Sequence, residues 1–535
     1  MSATLTAGSP ASPARPAPPS AAEETISTRR IVAFVAMVFG MFMAILDIQI
    51  VSASLSEIQA GLSASSDEIA WVQTAYLIAE VVMIPLSGFL ARMLSTRVLF
   101  TLAAAGFTAS SALCATASNI DQMIVYRAIQ GFIGGGMIPA VFAAAFTIFP
   151  PSRRAIVSPV IGLVATLAPT IGPTIGGYLS HAFSWHWLFL VNVPPGIIVA
   201  ITVWNLVDFD KPNLALFNRF DWFGLLGLAA FLGSLEYVLE EGPLNDWFED
   251  TSIFVFAIVT VVGAVLFFWR AFTAEEPIVD LTAFSNRNFA FGSLFSFVLG
   301  VGLYGLTYLY PVYLARIRGY DSLMIGQTMF VSGLAMFIMA PISGILMGKV
   351  KMDPRLMMSI GFVSFGTGTY LMSGLTHDWD FYELLLPQIL RGVGLMMAMI
   401  PINNIALGTL SPDKMKGGSG LFNLTRNLGG AVGLAIINTM LNDRSTLHYE
   451  RLSEQVRWGR RVVEDRMASM SARFAAQGLD GSATALSQMS KIVRREAQIL
   501  SFSDVFIFLT VLFASLVLLA VFIQKPSTGV KVDAH

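Results

Sequence analysis

Residues 84–97 (IPLSGFLARMLSTR) and 340–355 (APISGILMGKVKMDPR) share one pattern. Pro85-x-Ser87-Gly88-x-Leu90 recurs as Pro341-x-Ser343-Gly344-x-Leu346, each time closing an apolar run and leading into basic residues. A second pair keeps nearly the same offset: Pro139 and Pro150 stand eleven residues apart, as do Pro401 and Pro412, and both pairs run into a basic loop. The two offsets are 256 and 262 residues. Their near agreement makes the second half of the chain a copy of the first.

The composition says what is being copied. The 535 residues are 55% hydrophobic and only 13% charged, with a mean hydropathy of +0.68, whereas an ordinary soluble domain carries about 25% charged residues. Such a chain belongs in a bilayer. A net charge of -2 with scattered Lys and Arg excludes nucleic acid as a partner. The single cysteine, Cys114, sits in an apolar run and reads as packing, and no metal-ligand cluster is apparent.

About twenty apolar residues cross the hydrocarbon core as a helix. Such runs lie at 31–55, 69–91, 97–117, 121–149, 155–180, 185–207, 221–240 and 251–270, then at 289–314, 323–349, 355–375, 382–410, 418–441 and 502–524. An all-α membrane protein of fourteen transmembrane helices is expected. Lys and Arg of the short loops collect on one side, with only Arg316 and Arg318 on the other, which places both termini in the cytoplasm; the long outer segment 442–501 holds ten more, and long loops are translocated largely regardless of charge. The repeat divides the chain into a disordered cytoplasmic tail (1–30), a six-helix bundle (31–207), inserted helices 7 and 8 with flanking loops (208–288), a second six-helix bundle (289–524) and a cytoplasmic tail (525–535). The second bundle includes a long polar segment, 442–501, which reads as a solvated helical hairpin or as a docking surface for a periplasmic partner. Two bundles related by duplication are the architecture of secondary transporters, which rock around a site near the membrane midplane.

The fifth span contains Gly172-Pro173-x-x-Gly176-Gly177, where a soluble helix would break; in a membrane this combination marks a kinked helix packed tightly on a neighbour. Around it stand Leu46-Asp47-x-x-Ile50-Val51, Arg127-x-x-Gln130-Gly131, Trp185-x-Trp187-x-Phe189-x-x-Asn192-x-Pro194-x-Gly196, Gly242-x4-Trp247-Phe248 and Arg426-Asn427-x-Gly429-Gly430. In order and spacing the set resembles the fourteen-helix drug:proton antiporter family of the major facilitator superfamily, of the EmrB/QacA type, and the long segment before the last helix resembles its EmrB-like branch. One departure stands out. The cytoplasmic loop after helix two has Arg92 where the family has an Asp.

The resemblance implies a proton-coupled multidrug efflux transporter in the bacterial inner membrane. Its cargo would be small amphipathic drugs, and its partners a periplasmic adaptor protein and an outer-membrane channel. The alternative on the same fold is an exporter of one metabolite, fatty acid or siderophore. No G-x4-G-K-[ST] stretch is present, so no cofactor is expected and the proton gradient is the expected drive. Five histidines, none within apparent reach of a carboxylate in a plausible cytoplasmic site, argue against an enzyme such as a lipid acyltransferase.

Asp47 interrupts an otherwise uncharged run, at a cost of about 2.5–3.5 kcal/mol on insertion scales. Counted from the outer ends of their spans, Asp47 and Arg127 lie at one level, about 9–12 Å deep. A carboxylate whose guanidinium can be withdrawn changes its proton affinity with conformation, so Asp47 is expected to carry the proton and Arg127 to tune it; the alternative is a permanent ion pair. Glu80 falls near the midplane, and Gln73, Tyr76, Glu80 and Ser87 recur at helical spacing as one polar face. With Gln49 and Gln130 this face is expected to line the substrate cavity, where Glu80 attracts cationic drugs or supplies a second proton site. Gly172, Pro173, Gly176, Gly177, Asn192 and Arg426 are expected to be structural, Arg426 in a polar interhelical patch with Asn423 and Asn427. Glu236, Glu240 and Glu241 close span seven.

Overall fold

The computed structural model describes residues 27–523 except Ala53 and Pro412, and it contains no strand among them. The expectations for residues 1–26, for the tail 525–535 and for Pro412 of the second proline pair lie outside the described residues. The first half is built from α1 (Thr28–Ser52), the short α2 (Leu55–Leu62), α3 (Ser66–Leu94), α4 (Thr96–Cys114), α5 (Ile120–Gly134), α6 (Met137–Ile148), α7 (Pro151–Ala182), α8 (Trp187–Leu190) and α9 (Val193–Leu206). Next come α10 (Trp222–Glu241) and α11 (Thr251–Thr273). The second half holds α12 (Arg287–Tyr313), α13 (Ser322–Gly348), α14 (Pro354–Met372), α15 (Phe381–Gly408), α16 (Met415–Gln455), α17 (Arg461–Ala475) and α18 (Gly481–Leu519).

Helix starts follow the polar residues between apolar runs. Ser65 and Asp380 each form a capping box, with Glu68 and Glu383, while Asn119, Asp221, Asp250 and Asp321 accept from the first free backbone N–H groups of α5, α10, α11 and α13. The fourth expected span is broken after Gly134, so that α5 and α6 together make one crossing.

Twelve helices among the described residues are long and apolar enough to cross a membrane, rather than the expected fourteen. The two expected spans outside that count, 355–375 and 418–441, are nevertheless helices, α14 and the first part of α16. In α16 the polar groups face protein: Asn427 accepts from Tyr304 (3.3 Å) and Asn438 from Tyr308 (2.6 Å), both on α12. The segment 442–501 is less a loop than a continuation of two helices. α16 runs on to Gln455, α18 starts at Gly481, and α17 packs against α18 between them.

The inserted helices pack on each other through glycines: a Cβ on Gly227 would stand 2.7 Å from the Phe267 nitrogen, and one on Gly263 would stand 2.5 Å from that of Phe231. α10 also touches α3 of the first half and α16 of the second, whereas α11 buries little beyond Ile253, Gly263 and Phe267. Its apolar remainder faces outward, as a lipid-exposed helix should.

At the end that carries the basic loops the two halves are joined. Lys416 Nζ, on α16, donates to Asp210 Oδ2 (2.6 Å) and to the Ala91 carbonyl (3.0 Å), and the same Asp210 oxygen accepts from Thr96 N and Oγ1 (both 2.7 Å). A Cβ on Gly88 would lie 2.9 Å from the Gly417 Cα, and Ser158 Oγ on α7 donates to Asn404 Oδ1 on α15 (3.2 Å). Arg92, standing where an Asp was expected, pairs instead with Glu276 (3.6 Å).

Candidate functional site

The centre of the first half holds a polar cluster with no exposure at all. Asp47 on α1, Arg127 and Gln130 on α5, and Ser111 on α4 are each 0% exposed, and Asn192 is 2% exposed. Arg127 NH1 donates to Asp47 Oδ2 at 2.6 Å, while Asp47 Oδ1 accepts from Asn192 Nδ2 (2.7 Å) and Gln130 Nε2 (3.2 Å). Gln130 is used at every position: Oε1 accepts from Arg127 NH1 (2.7 Å) and from the Cys114 thiol (3.6 Å), and Nε2 also donates to Ser111 Oγ (2.7 Å). Arg127 Nε donates to the Val72 carbonyl (3.2 Å), and its guanidinium lies 4.2 Å from the centre of the Tyr76 ring. A buried carboxylate is tolerated only with such company, and removing one partner of a buried pair costs about 3–5 kcal/mol.

The helices reach this geometry because glycines let them approach. A Cβ on Gly131, directly after Gln130, would stand 2.3 Å from the Tyr76 carbonyl, so α5 lies against α3. A Cβ on Gly172 would meet the Gln49 Cβ at 2.4 Å, and one on Gly176 the Ile50 carbonyl at 2.6 Å, which seats α7 on the helix that bears Asp47. Small residues at such spacing permit the backbone approach that tight packing in lipid requires.

The expected cavity residues therefore divide. Tyr76 and Gln130 belong to the closed Asp47 cluster inside the first half, and Gln49 packs on α7. Ser87 turns back to the Ile84 carbonyl of its own helix (2.7 Å). Glu80 is 3% exposed, and its Oε1 and the Gln73 Oε1 are buried without a hydrogen-bond partner among the described residues. Pro173 and Gly177 lie within α7. Asn192, expected to be structural, donates directly to Asp47, and its motif was the only trace of that contact. Ser111 carried no signal beyond a polar pair in an apolar helix.

Arg426 reaches across the halves. It donates to Asn403 Oδ1 (3.0 Å), and its guanidinium lies 5.1 Å from the Phe422 ring centre and 5.5 Å from that of Phe142, which belongs to α6 of the first half. Its Nε has no partner among the described residues. Asn423 bonds to Ser419 in its own helix rather than to Arg426.

The duplication extends to single hydrogen bonds. About 260 positions along, Gln388 Nε2 donates to the Thr328 carbonyl (2.8 Å) as Arg127 does to Val72, and Arg391 donates to Thr307 Oγ1 (3.0 Å) where Gln130 donates to Asp47. A Cβ on Gly392 would lie 2.7 Å from the Ser332 carbonyl, in the manner of Gly131 and Tyr76. The scaffold is kept and the acid is not: the acidic member of the cluster exists in the first half alone.

Comparison with known proteins agrees with this architecture. Residues 37–434 match the model of the Major Facilitator Superfamily. The chain is 42% identical over 492 residues to the "Colistin resistance protein EmrB" of Acinetobacter baumannii, covering 92% of this chain and 96% of that one. It is 30% identical to the "Fatty acid resistance protein FarB" of Neisseria gonorrhoeae, with the same coverage of 92% and 96%. It is 28% identical to the "Multidrug export protein EmrB" of Escherichia coli, covering 80% of this chain and 83% of that one. Among solved structures, the proton:xylose symporter XylE superposes with a TM-score of 0.58 at 12% identity, covering 92% of this chain and 96% of that one. The human organic anion transporter MFSD10 superposes with a TM-score of 0.56 at 14% identity, covering 91% and 100%; both likenesses show the fold. With an all-helical duplicated bundle and relatives of this kind, the chain is a multi-span membrane protein of the Major Facilitator Superfamily, a transporter rather than an enzyme, and of the EmrB type.

Proposed function

We propose that this protein exports amphipathic toxic compounds across the bacterial inner membrane in exchange for protons, with its basic end and both termini in the cytoplasm. The observation that carries the reading is Asp47, a fully buried carboxylate whose donors come from two other elements, Arg127 and Gln130 on α5 and Asn192 at the α8–α9 junction. Donors on separate helices are withdrawn when those helices tilt. A carboxylate left without its guanidinium in a dry interior takes up a proton, and it releases that proton when the guanidinium returns. This alternation is what exchange of a proton for cargo requires. Relatives named for drug and colistin resistance support a broad cargo.

Asp47→Asn keeps the size of the side chain, exchanges one acceptor oxygen for a donor and removes the titration. In vesicles the variant is expected to insert normally and to lose export driven by a pH gradient. Undiminished export would reject the reading. The rival, a single-cargo exporter, is favoured by the fatty acid resistance relative. Resistance profiling in a pump-deleted strain separates the two, because a multidrug pump protects against several unrelated compounds.

The hairpin formed by the ends of α16 and α18 with α17 suits a periplasmic adaptor that leads to an outer-membrane channel. Trp458 (76% exposed) and Val462 (81%) stand at its tip, large apolar side chains outside the bundle.

A further inference from the structure

A buried guanidinium ordinarily has an acid beside it, because an uncompensated charge is costly in an apolar interior. Arg127 pairs with Asp47, and Arg270 on α11 pairs with Asp221. Arg426 on α16 is 5% exposed and makes no ion pair among the described residues. Arg391 shares that lack but is enclosed in its own half, where it donates to Thr307. Arg426 stands where the halves meet, under the Phe142 ring of α6. It lies eleven residues beyond Met415, the first residue of α16, which is about 16 Å along the helix and near the middle of a hydrocarbon core about 30 Å thick. Toward the basic end the seam is shut: a Cβ on Gly420 would stand 3.1 Å from the Ile84 carbonyl of α3. Cargo sites of two-bundle transporters lie at this depth, where the repeats face each other.

The surroundings of this guanidinium are rich in donors and short of acceptors. Its NH2 donates to Asn403 Oδ1 on α15 (3.0 Å), while its Nε is buried with no partner among the described residues. A guanidinium can only donate, so Asn403 turns its oxygen toward it, and the amide Nδ2 is left buried and unpartnered as well. Asn403 is 1% exposed. The neighbouring polar groups are engaged elsewhere: Asn423 donates to the Ser419 carbonyl (2.8 Å), and the Tyr304 hydroxyl of α12 donates to Asn427 Oδ1 (3.3 Å). Glu80, the acid of α3, packs on the first half, where a Cβ on Gly135 would stand 3.1 Å from its Cγ. Beside the free donors lie the Phe142 and Phe422 rings, with centres 6.4 Å apart. Arg426, Asn403 and Phe422 belong to the second half and Phe142 to the first. Parting of the halves therefore uncovers the two donors and leaves an aromatic wall next to them.

We propose that Arg426 and Asn403 form the head-group site for an amphipathic organic anion, a carboxylate or sulfonate whose apolar body lies against Phe422 and Phe142. The proposal rests on the reading of the protein as an exporter and names the chemical class of its cargo. Such an anion supplies both things that the site lacks, a negative charge and acceptor oxygens, which accept from Arg426 Nε and Asn403 Nδ2. Hydrogen bonds of this kind, between a guanidinium and an oxyanion, are the short and strong ones. A cationic head gains nothing here, since it would meet a guanidinium with no acid beside it. The two charges at the heart of the protein then divide the cycle between them. Asp47, enclosed in the first half, is answered by Arg127 from within the protein, whereas Arg426, at the seam, is answered by the cargo.

The test compares two fluorescent dyes with the same apolar body and opposite heads, pyrenebutyrate and pyrenebutyltrimethylammonium. Binding to the full-length protein is read in nanodiscs of neutral lipid, with empty nanodiscs subtracted, and export is read in vesicles under an imposed pH gradient. The wild type is expected to prefer the anion. Arg426→Gln is expected to weaken the anion by about tenfold or more, as loss of hydrogen bonds to a charged group does, with no loss of the cation. Asn403→Asp sets a carboxylate beside Arg426 with almost no change of shape, so the guanidinium gains an internal partner and the anion is expelled to a similar extent. Because it adds a counter-charge to a buried cation, this variant answers should Arg426→Gln fail to fold. Equal binding of the two dyes by the wild type overturns the proposal, and so does an unchanged anion affinity in Asn403→Asp. Equal loss of both dyes in either variant also overturns it, because Arg426 would then be a packing residue. Vesicles in which neither dye responds to the pH gradient overturn the export reading and this proposal together; pH-driven export of the cation alone overturns the proposal and leaves the export reading standing.

Discussion

Asp47 needs four helices to be in register within a fraction of an ångström, and glycine is the residue that sets the register. A Cβ on Gly176 would be 2.6 Å from a backbone oxygen of α1, and backbone cannot swing aside as a side chain can. Gly176→Ala is expected to destabilise the protein by about 1–3 kcal/mol, the usual cost of overpacking. The loss would be read as a lower melting temperature in detergent with reduced export. Gly417→Ala, whose Cβ would enter open space, serves as the control and should leave both unchanged. At this scale much of the site was legible. The pairing of Asp47 with Arg127 followed from their equal depth, since a lone charge in an apolar helix must find a partner. Asn192 and Ser111 were not legible as partners, because neutral side chains pay little to be buried and so leave no anomaly in the sequence. Tyr76 and Gln130 read as cavity residues for the opposite reason: spacing gives the face of a helix, but not which neighbour that face meets.

Among the elements, α3, α7, α15 and α16 carry the junction between halves. The Lys416–Asp210 pair is 18% and 12% exposed, with one carboxylate oxygen taking three donors, two of them from Thr96 at the start of α4. Hydrogen bonds to charged groups contribute about 1.5–3 kcal/mol. Asp210→Asn should therefore raise the population open at the basic end by about tenfold or more. A disulfide between Ser158→Cys and Asn404→Cys, whose native side chains touch at 3.2 Å, reports that population. Its formation should slow when Asp210→Asn is added, with unchanged kinetics ruling out the junction as a latch. The duplication of these elements was visible in sequence because proline and glycine leave fixed marks. The number of crossings was not settled in the same way. Hydropathy measures what a helix would offer to lipid, and α16 spends Arg426, Asn427 and Asn438 on neighbouring helices instead.

For the molecule as a whole, bilayer and aqueous parts can be separated by experiment. Replacing Trp458 and Val462 by Ser leaves the membrane bundle untouched. If the proposed adaptor grips this tip, the change preserves dye export in vesicles and abolishes protection of intact cells. Equal loss in both assays would make the hairpin part of the pump itself. The same hairpin has a mechanical consequence. Arg426, where the halves meet at Phe142, and Gln455, near the tip, belong to one uninterrupted helix, about 43 Å apart at 1.5 Å per residue. A tilt of about 10° at that contact would swing the far end through about 7 Å. Any movement of one half against the other would reach the far end through a rigid lever arm, with no chemical messenger between them.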